Sequence, residues 1–252
     1  MKYALYHFPL FNIARGVISG AESFGDFGQR LTLATGTAGD DVWDGTAVLI
    51  PRPPIAGEQM TLVSTSISDT SAGTGIRSLE VYYLDANGSA QVETVILNGT
   101  TPVNTVATNI RFVNDLHALT VGSGESAAGT ITCYKLGAAT TIYNQISAGS
   151  NRDVTCSKMV PAGKNFFLTG WSWSGTAAKP LSVRLRATAH FEQIISGVFL
   201  SQDIAQIVDA VYVKNFRIPI LIPPLAIIKA TTQSTQAAGN VGVGFDGWIE
   251  NV

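Results

Sequence analysis

Apolar and polar residues alternate along much of this chain, and the clearest case is the stretch 181–192. Its odd positions, from Leu181 to Phe191, are apolar or small, whereas its even positions, from Ser182 to Glu192, are polar or charged. Successive side chains of a strand point to opposite faces of the sheet. The pattern therefore predicts a strand with one face on a core and the other on water or a partner.

The same two-residue period predicts a hairpin earlier in the chain. Residues 79–83 and 92–96 alternate, and the turn signal Asn87-Gly88 lies between them, where both residue types tolerate positive φ. Short β-branched runs separated by Gly, Asn, Asp and Pro continue from Met60 to Tyr134. A chain that reverses this often builds an antiparallel sheet, and the apolar face of such a sheet needs a second layer.

Helical spacing is found only in residues 200–213, at Ile204, Ile207, Val208 and Val211. This stretch is equally compatible with a loop and a strand. Without a long helical pattern or a solenoid repeat, the sequence predicts an all-β fold, an antiparallel β-sandwich over residues 59–252. A division into two sub-layers is expected near residues 136–140.

Residues 1–58 show poor alternation and are rich in Gly, Asp and Thr, and Pro51, Pro53 and Pro54 close the segment with a stiff extended stretch. Two interpretations remain open: an irregular lead-in packed over the sandwich, or an extended N-terminal arm that inserts aromatic anchors into a neighbouring subunit. The candidate arm and interface residues are Phe8, Phe11, Phe24, Phe27 and Trp43.

Composition narrows the classes of function. Charged residues make up 13% of the chain, against about 25% in an average soluble protein. Depleted charge suits the buried centre of a protein–protein interface, although a Ser/Thr-rich β-protein surface explains it as well. The net charge is −2 and no run of Lys or Arg occurs, which argues against nucleic acid as a partner.

The two cysteines, Cys133 and Cys156, have no second Cys or His at metal-ligand spacing, so a zinc site is not expected. Two buried thiols and a disulfide both remain open. Residues 1–9 do not have the apolar core of a signal peptide, so we expect synthesis in the cytoplasm. The most apolar stretch, 216–228, is shorter than the roughly 20 residues of a membrane span and is interrupted by prolines, so no membrane partner is expected.

No motif in the sequence predicts catalysis or a cofactor. The histidines are His7, His117 and His190, and although Asp115 shares a strand face with His117, no nucleophile motif accompanies the pair. Asp40, Asp41 and Asp44 surround Trp43 and could serve a glycosidase, but an Asp/Gly-rich turn explains them better. The sequence therefore predicts a protein that is not an enzyme.

One aromatic pair offers a binding alternative. Trp171 and Trp173 share one strand face, and paired aromatic rings can stack on sugar rings. The neighbouring Phe167 and Leu168 favour a buried pair of core tryptophans instead. A carbohydrate-binding or receptor-contacting module is thus one alternative function, which ranks below those that the resemblance described next implies.

A series of phrases between residues 40 and 190 resembles a type of virion structural protein found in tailed bacteriophages. The phrases, in chain order, are 41–45 (DVWDG), 63–66 (VSTS), 69–75 (DTSAGTG), 83–88 (YLDANG), 93–103 (ETVILNGTTPV), 110–113 (IRFV), 127–131 (AAGTI) and 160–164 (VPAGK). The resemblance implies β-sandwich or jelly-roll-like modules attached to a capsid or a tail. It carries no catalytic or cofactor residues over to this chain.

The resemblance implies a non-enzymatic component of a virion. We expect a capsid cement or decoration protein that stabilises the head through contacts between subunits. A tail, neck or fibre-base component is the first alternative. The expected partners are copies of the chain itself, in a homo-oligomer, and other virion proteins such as the major capsid or tail proteins.

Overall fold

Antiparallel strands make up almost all of the regular structure in the described part of the chain, as the sequence predicts. The computed structural model describes residues 9–31, 33, 39–47, 49–176, 181–188, 197–234 and 239–252. The elements in these ranges are α1 (Pro9–Ala14), β1 (Ala21–Arg30), β2 (Asp40–Asp41), β3 (Met60–Ser64), β4 (Ile76–Asp85), β5 (Ala90–Ile96), β6 (Val103–Asn104), β7 (Ile110–Val121), β8 (Ile131–Lys135), β9 (Ala138–Ile146), β10 (Ser157–Met159), β11 (Lys164–Thr176), β12 (Leu181–Ala187), β13 (Leu200–Ile207), β14 (Ala210–Ile222), β15 (Ile227–Ser234) and β16 (Asn240–Asn251).

Two small sheets form what we call the inner module, strands β3 to β9. One sheet has the strand order β6-β3-β8-β9 and the other β5-β4-β7. Both sheets contribute to one hydrophobic core, whose fully buried members include Leu62 and Ile131 from the first sheet and Leu79, Val81 and Leu116 from the second. The alternation noted in the sequence thus buries one face of each sheet against the other.

The remaining strands form the outer module, which has its own core. Its two sheets have the orders β1-β16-β11-β14 and β10-β15-β12-β13, and β2 joins the second sheet beside β15. Phe166 and Trp171 of β11 meet Leu181 and Leu185 of β12 in a second hydrophobic cluster. A third, small cluster joins the modules and contains Leu84, Phe112, Met159 and Ile227.

The inner module interrupts one strand of the outer module. β2 and β10 both pair with β15 on the same side, Asp41 opposite Thr231 and Ser157 opposite Lys229. Where they meet, the N–H of Cys156 donates to the carbonyl of Val42 at 2.9 Å. Residues 43–155 are therefore inserted at one point of an otherwise continuous edge strand.

Pairing in the outer module is nested around the middle of its chain. With β2 and β10 counted as one strand, the first strand pairs with the last, β1 with β16. The second pairs with the seventh, β10 with β15, and the third with the sixth, β11 with β14. The fourth and fifth, β12 and β13, pair directly. The outer module is therefore one long hairpin that folds over on itself to form two sheets.

The predicted extended arm is wrong for residues 21–30. These residues form β1, which is paired along its whole length from Ala21 opposite Glu250 to Arg30 opposite Val241. Its inward positions hold Asp26, Gly28 and Arg30, which are buried although they are not apolar. The hydrophobic alternation that identifies a strand is consequently absent from the sequence.

Other boundary predictions have mixed outcomes. The hairpin is confirmed, with Leu79 opposite Val95 and Gly88 at a φ of +80° in its turn. The strand at 181–187 is confirmed, and residues 189–192 lie outside the described residues. The helical alternative for 200–213 is wrong, because that stretch contains β13 and the start of β14. The expected start at residue 59 adjoins β3, whereas residues 136–140 fall at the turn between β8 and β9, inside one sheet.

Candidate assembly surface

An apolar edge is the most unusual surface feature of the described residues. Among the strands that the structure describes, β14 is the last of its sheet and pairs only with β11. Val211 and Val213 on this strand are 75% and 70% exposed, and Ile218 is 82% exposed. Long, exposed, hydrophobic edge strands are rare in monomeric proteins, because the unpaired N–H and C=O groups of such a strand can pair with another chain.

The preceding strand in the chain, β13, also exposes apolar side chains. Leu200 and Ile204 of β13, and Val208 directly after it, are also about half exposed. We use the name edge surface for Leu200, Ile204, Val208, Val211, Val213 and Ile218. These residues come from the two strands that end the two sheets of the outer module.

Local packing fixes the first half of β14 in an extended conformation. Tyr212 stacks on Trp173 with ring centroids 5.7 Å apart, and Lys214 forms an ion pair with Asp203 at 2.6 Å. These contacts hold the inward side chains, so Val211 and Val213 point outward. These side-chain contacts therefore hold the first half of β14 as an extended strand.

The second half of β14 is irregular. Register shifts between Leu168 and Gly170 of β11, so that Leu168 faces Ile220 but Gly170 faces Asn215. Residues 216–219 are left outside the ladder as a bulge, and this bulge contains Pro219, which cannot donate to a neighbouring strand. The regular, proline-free part of the edge is therefore 210–215, where a new strand could pair.

The predicted aromatic anchors differ in how far the structure exposes them. Phe11 and Phe27 are exposed, whereas Phe24 packs edge-on against Phe166 with centroids 4.9 Å apart. Trp43 is buried, and its indole N–H donates to the carbonyl of Ala47 at 2.9 Å. The prediction of an interface anchor is therefore wrong for Trp43, because the ring is buried within the chain itself. Phe8 lies outside the described residues.

Trp171 and Trp173 are not available to stack on sugars. Both are buried in the outer core with ring centroids 4.2 Å apart. The indole N–H of Trp171 donates to the carboxylate of Asp203 at 2.9 Å, whereas that of Trp173 has no hydrogen-bond partner within the described part of the chain. The face they share is the inner face of the sheet, so the candidate sugar-stacking role is wrong.

The acidic residues near Trp43 form structural ion pairs. Asp40 lies 3.3 Å from the guanidinium of Arg30, and Asp41 lies 2.5 Å from the ammonium group of Lys229. Asp41 also accepts a hydrogen bond from the N–H of Ile50 at 2.8 Å. Both carboxylates are buried and paired with the strands beside them. They hold β2 and the segment after it in place.

A buried charged cluster lies between the modules. Asp115 of β7 contacts the ammonium group of Lys158 at 2.7 Å, the guanidinium of Arg152 at 3.0 Å and the imidazole of His117 at 3.5 Å. Asp26 of β1 lies 3.9 Å from the same Arg152 guanidinium. We call Asp26, Asp115, Asp153, Arg152, Lys158 and His117 the junction cluster.

Burial and charge act in opposite directions within the junction cluster. Burial raises the pKa of Asp153 to about 6, with the charge of Asp115 adding to the effect, and burial also raises the pKa of Asp26. For Asp115, burial is outweighed by hydrogen bonds from His117 and Lys158, so its pKa is lowered. The pKa of Lys158 is raised, because Asp26 and Asp115 outweigh its burial.

Three members of the junction cluster have metal-ligating side chains that lie close together, and they form the one such group among the described residues. Donor atoms of Asp115, His117 and Asp153 lie within 4.8 Å of one another. The oxygens of Asp153 already accept hydrogen bonds from the N–H of Leu116 at 3.0 Å and the amide of Asn144 at 2.7 Å. Because Lys158 and Arg152 supply the positive charge, the donor set fits an ion-pair network better than a metal.

Among the other residues considered in the sequence, the cysteines are both unpaired. Cys133 lies in the inner core and Cys156 in the outer core, both buried as free thiols. Burial raises the pKa of Cys133 to about 12. Such thiols are poor nucleophiles. His7 and His190 lie outside the described residues.

Comparisons with known proteins give only distant likenesses. No family model and no curated protein matches the chain. PirA is 12% identical over 36% of this chain and 79% of its own, with a TM-score of 0.28. A chain in the structure of infectious bursal disease virus, Gt strain, is 9% identical over 93% of this chain and 78% of its own length, with a TM-score of 0.17.

The VP2 subviral particle of the same virus is 10% identical over 97% of this chain and 82% of its own, with a TM-score of 0.12. Weak structural neighbours of the chain thus include viral capsid proteins. At TM-scores below 0.5 these likenesses carry no argument about this chain. Within the described residues, no helix has the length and apolarity that crossing a bilayer requires.

Proposed function

We propose that this chain is a non-enzymatic structural component of a bacteriophage virion, a capsid cement or decoration protein that stabilises the head through contacts between subunits. The edge surface is the observation that carries the proposal. Exposed Val211, Val213 and Ile218 lie on a strand with a free edge. A neighbour that adds a strand to 210–215 would pair these backbone groups and cover the side chains.

The nested pairing of the outer module supports a jelly roll. In this fold eight strands form two four-stranded sheets from a doubly wound hairpin, and the fold serves viral capsid and lectin domains among others. The pairs β1–β16, β10–β15, β11–β14 and β12–β13 fit that scheme. Fold alone does not determine function, so the exposed edge remains the stronger support.

Interface size gives the proposal a quantitative requirement. Stable protein–protein interfaces bury more than about 1,000 Å² in total. The edge surface, together with backbone pairing along 210–215, offers apolar side chains from two consecutive strands for such a contact. The low charge content of the chain, 13%, reduces the desolvation that burial would require.

The oligomeric state of the purified chain tests the proposal. We expect an oligomer at micromolar concentration by light scattering coupled to size exclusion, and we expect Val211→Lys combined with Val213→Lys to reduce it to monomer. Val106→Lys is the matched control, because Val106 is also exposed but lies in the inner module. A monomeric wild-type chain that is also missing from purified virions would refute the proposal.

A three-dimensional map of the virion separates the head from the tail. A cement or decoration protein should lie over the capsid lattice in many copies, with β14 at contacts between subunits. Density confined to one vertex would favour the tail, neck or fibre-base alternative. Density with β14 facing solvent in every copy would contradict the role given to the edge surface.

A further inference from the structure

A cavity of about 240 Å³ lies where the inner and outer modules meet. Arg111 and Phe112 of β7 line it from the inner module, and Met159 and Ile227 line it from the outer module. Residues 52–55, which lead from the outer module into the inner one, complete the wall. The cavity therefore combines apolar side chains from both modules with Arg111.

Arg111 is a buried cation without a countercharge. Its side chain belongs to a residue that is only 5% exposed. One terminal guanidinium nitrogen lies 3.5 Å from the carbonyl oxygen of Ala86, and the other, Nη2, is buried without a hydrogen-bond partner among the described residues. Among the residues that the structure describes, no carboxylate forms an ion pair with Arg111.

This arrangement is unusual on energetic grounds. Arginine is almost never fully buried unless it is paired, since an uncompensated charge in a protein interior is strongly destabilising. Burial alone lowers the pKa of Arg111, and no neighbouring acid offsets it. The contrast with Arg30 is direct, because Arg30 is equally buried but has Asp40 at 3.3 Å.

We propose that this cavity binds a carboxylate attached to a small apolar group, with the carboxylate on Arg111 and the apolar part against Phe112, Met159 and Ile227. A guanidinium group presents two parallel N–H donors that match the two oxygens of a carboxylate. The apolar walls fit a short hydrocarbon chain or ring, and the volume suits a ligand of that size. The proposal does not depend on the function proposed above.

Carboxylate is favoured over phosphate by the nature of the wall. Phosphate sites usually offer several backbone N–H groups or a helix N-terminus to the anion. Pro53 and Pro54 line this cavity and have no N–H to donate. Arg52 adds a second cation, and its guanidinium lies 5.2 Å from the ring centroid of Phe199. The cavity thus offers guanidinium groups, whereas its backbone at residues 53 and 54 donates no hydrogen bond.

Hexanoate is the first probe, measured by calorimetry and by thermal shift on the full chain. We expect saturable binding with one site and a rise in melting temperature. Hexylamine, phosphate and sulfate serve as controls at the same ionic strength. Binding of phosphate or sulfate as tight as that of hexanoate would overturn the carboxylate assignment, and no hexanoate binding would overturn the proposal.

Variants locate the site. Arg111→Met should weaken hexanoate binding at least tenfold, and Arg15→Met, which removes an exposed arginine elsewhere, should leave it unchanged. Arg111→Gln provides a polar alternative with the same expected loss if Arg111→Met does not fold. Equal hexanoate affinity in the wild-type chain and in either Arg111 variant would overturn the assignment to this cavity.

The source of the carboxylate is a separate outcome of the same assay. A peptide that ends in an apolar residue with a free carboxylate is compared with its C-terminal amide. Binding of the acid but not of the amide, in competition with hexanoate, indicates that a protein terminus can occupy the cavity. Binding of hexanoate alone indicates a free organic acid as the occupant.

Discussion

The N–H of Cys156 donates a hydrogen bond of 2.9 Å to the carbonyl of Val42, although residues 43–155 separate them in the chain. The two residues continue one edge strand, in which β2 and β10 lie end to end beside β15. The inner module therefore leaves and re-enters the outer module at one point. An insertion with adjacent ends can be accommodated without disturbing the host sheets.

The insertion geometry predicts that the inner module folds alone. A fragment of residues 56–152 contains the whole inner core, from Met60 to Ile146. We expect cooperative urea unfolding of this fragment and dispersed amide signals in its NMR spectrum. A fragment that binds hydrophobic dyes and unfolds without a transition would contradict the prediction.

The two core tryptophans should differ in their contribution to stability. Both Trp171→Phe and Trp173→Phe remove similar volume from the same core, but only Trp171→Phe removes a hydrogen bond to the carboxylate of Asp203. Hydrogen bonds to charged groups contribute about 2 kcal/mol. We expect Trp171→Phe to lower the free energy of unfolding by about that much more than Trp173→Phe, measured by urea denaturation. Equal losses would show that the hydrogen bond contributes nothing.

Asp69 should be essential to the loop between β3 and β4. Its fully buried carboxylate accepts four hydrogen bonds, from the hydroxyl of Ser64 at 2.6 Å and from the N–H groups of Ile76, Ala128 and Gly129 at 2.8 to 2.9 Å. Asp69→Ala leaves these donors unpaired in the interior. Since each unpaired donor costs about 1–3 kcal/mol, we expect a loss of at least about 3 kcal/mol in the free energy of unfolding.

Asp85 provides the matched control for Asp69. It accepts hydrogen bonds from the N–H groups of Asn87 at 2.9 Å and Ser89 at 3.0 Å, but it does so in an exposed turn where water can replace it. We expect Asp85→Ala to cost about 1 kcal/mol. If chemical denaturation gives similar losses for Asp69→Ala and Asp85→Ala, burial does not explain the role of Asp69.

The junction cluster predicts a stability that depends on pH. The pKa of Asp153 is raised to about 6 by burial, so the folded chain holds this proton more tightly than the unfolded chain, whose Asp pKa is about 3.9. Stability from this group is therefore greatest at low pH and is lost as the pH rises through 6. Between pH 7.5 and 5 we expect a gain of about 1 kcal/mol from Asp153.

Other members of the junction cluster limit and test this effect. Asp26, whose pKa burial also raises, acts in the same direction, whereas the lowered pKa of Asp115 removes stability once the pH falls below about 4. Urea denaturation across this range should therefore show a maximum on the acid side of neutrality. Asp153→Asn should flatten the rise between pH 7.5 and 5, and an unchanged rise would exclude Asp153 as its source.

Local patterns predicted the strands whose residues alternate in the ordinary way. Residues 181–187 and the hairpin around Asn87-Gly88 are examples, because one apolar face and a turn residue with positive φ are both visible in the sequence. β1 was missed, since Asp26, Gly28 and Arg30 fill its buried positions. Their burial depends on partners distant in the chain, such as Asp40 for Arg30 and Ser157 for Asp26.

The candidate surface and cavity could not be predicted in the same way. Val211 and Val213 look like core residues in the sequence, and only the place of β14 at the end of its sheet exposes them. Arg111 lies in the stretch 60–134, where the sequence predicts short strands, but its burial without an acid results from two modules meeting around it. The sequence by itself determined which segments are strands and which turns join them, because those depend on neighbouring residues. Tertiary structure alone decided which strands end a sheet and which charges lack a partner, because both depend on contacts between segments far apart in the chain.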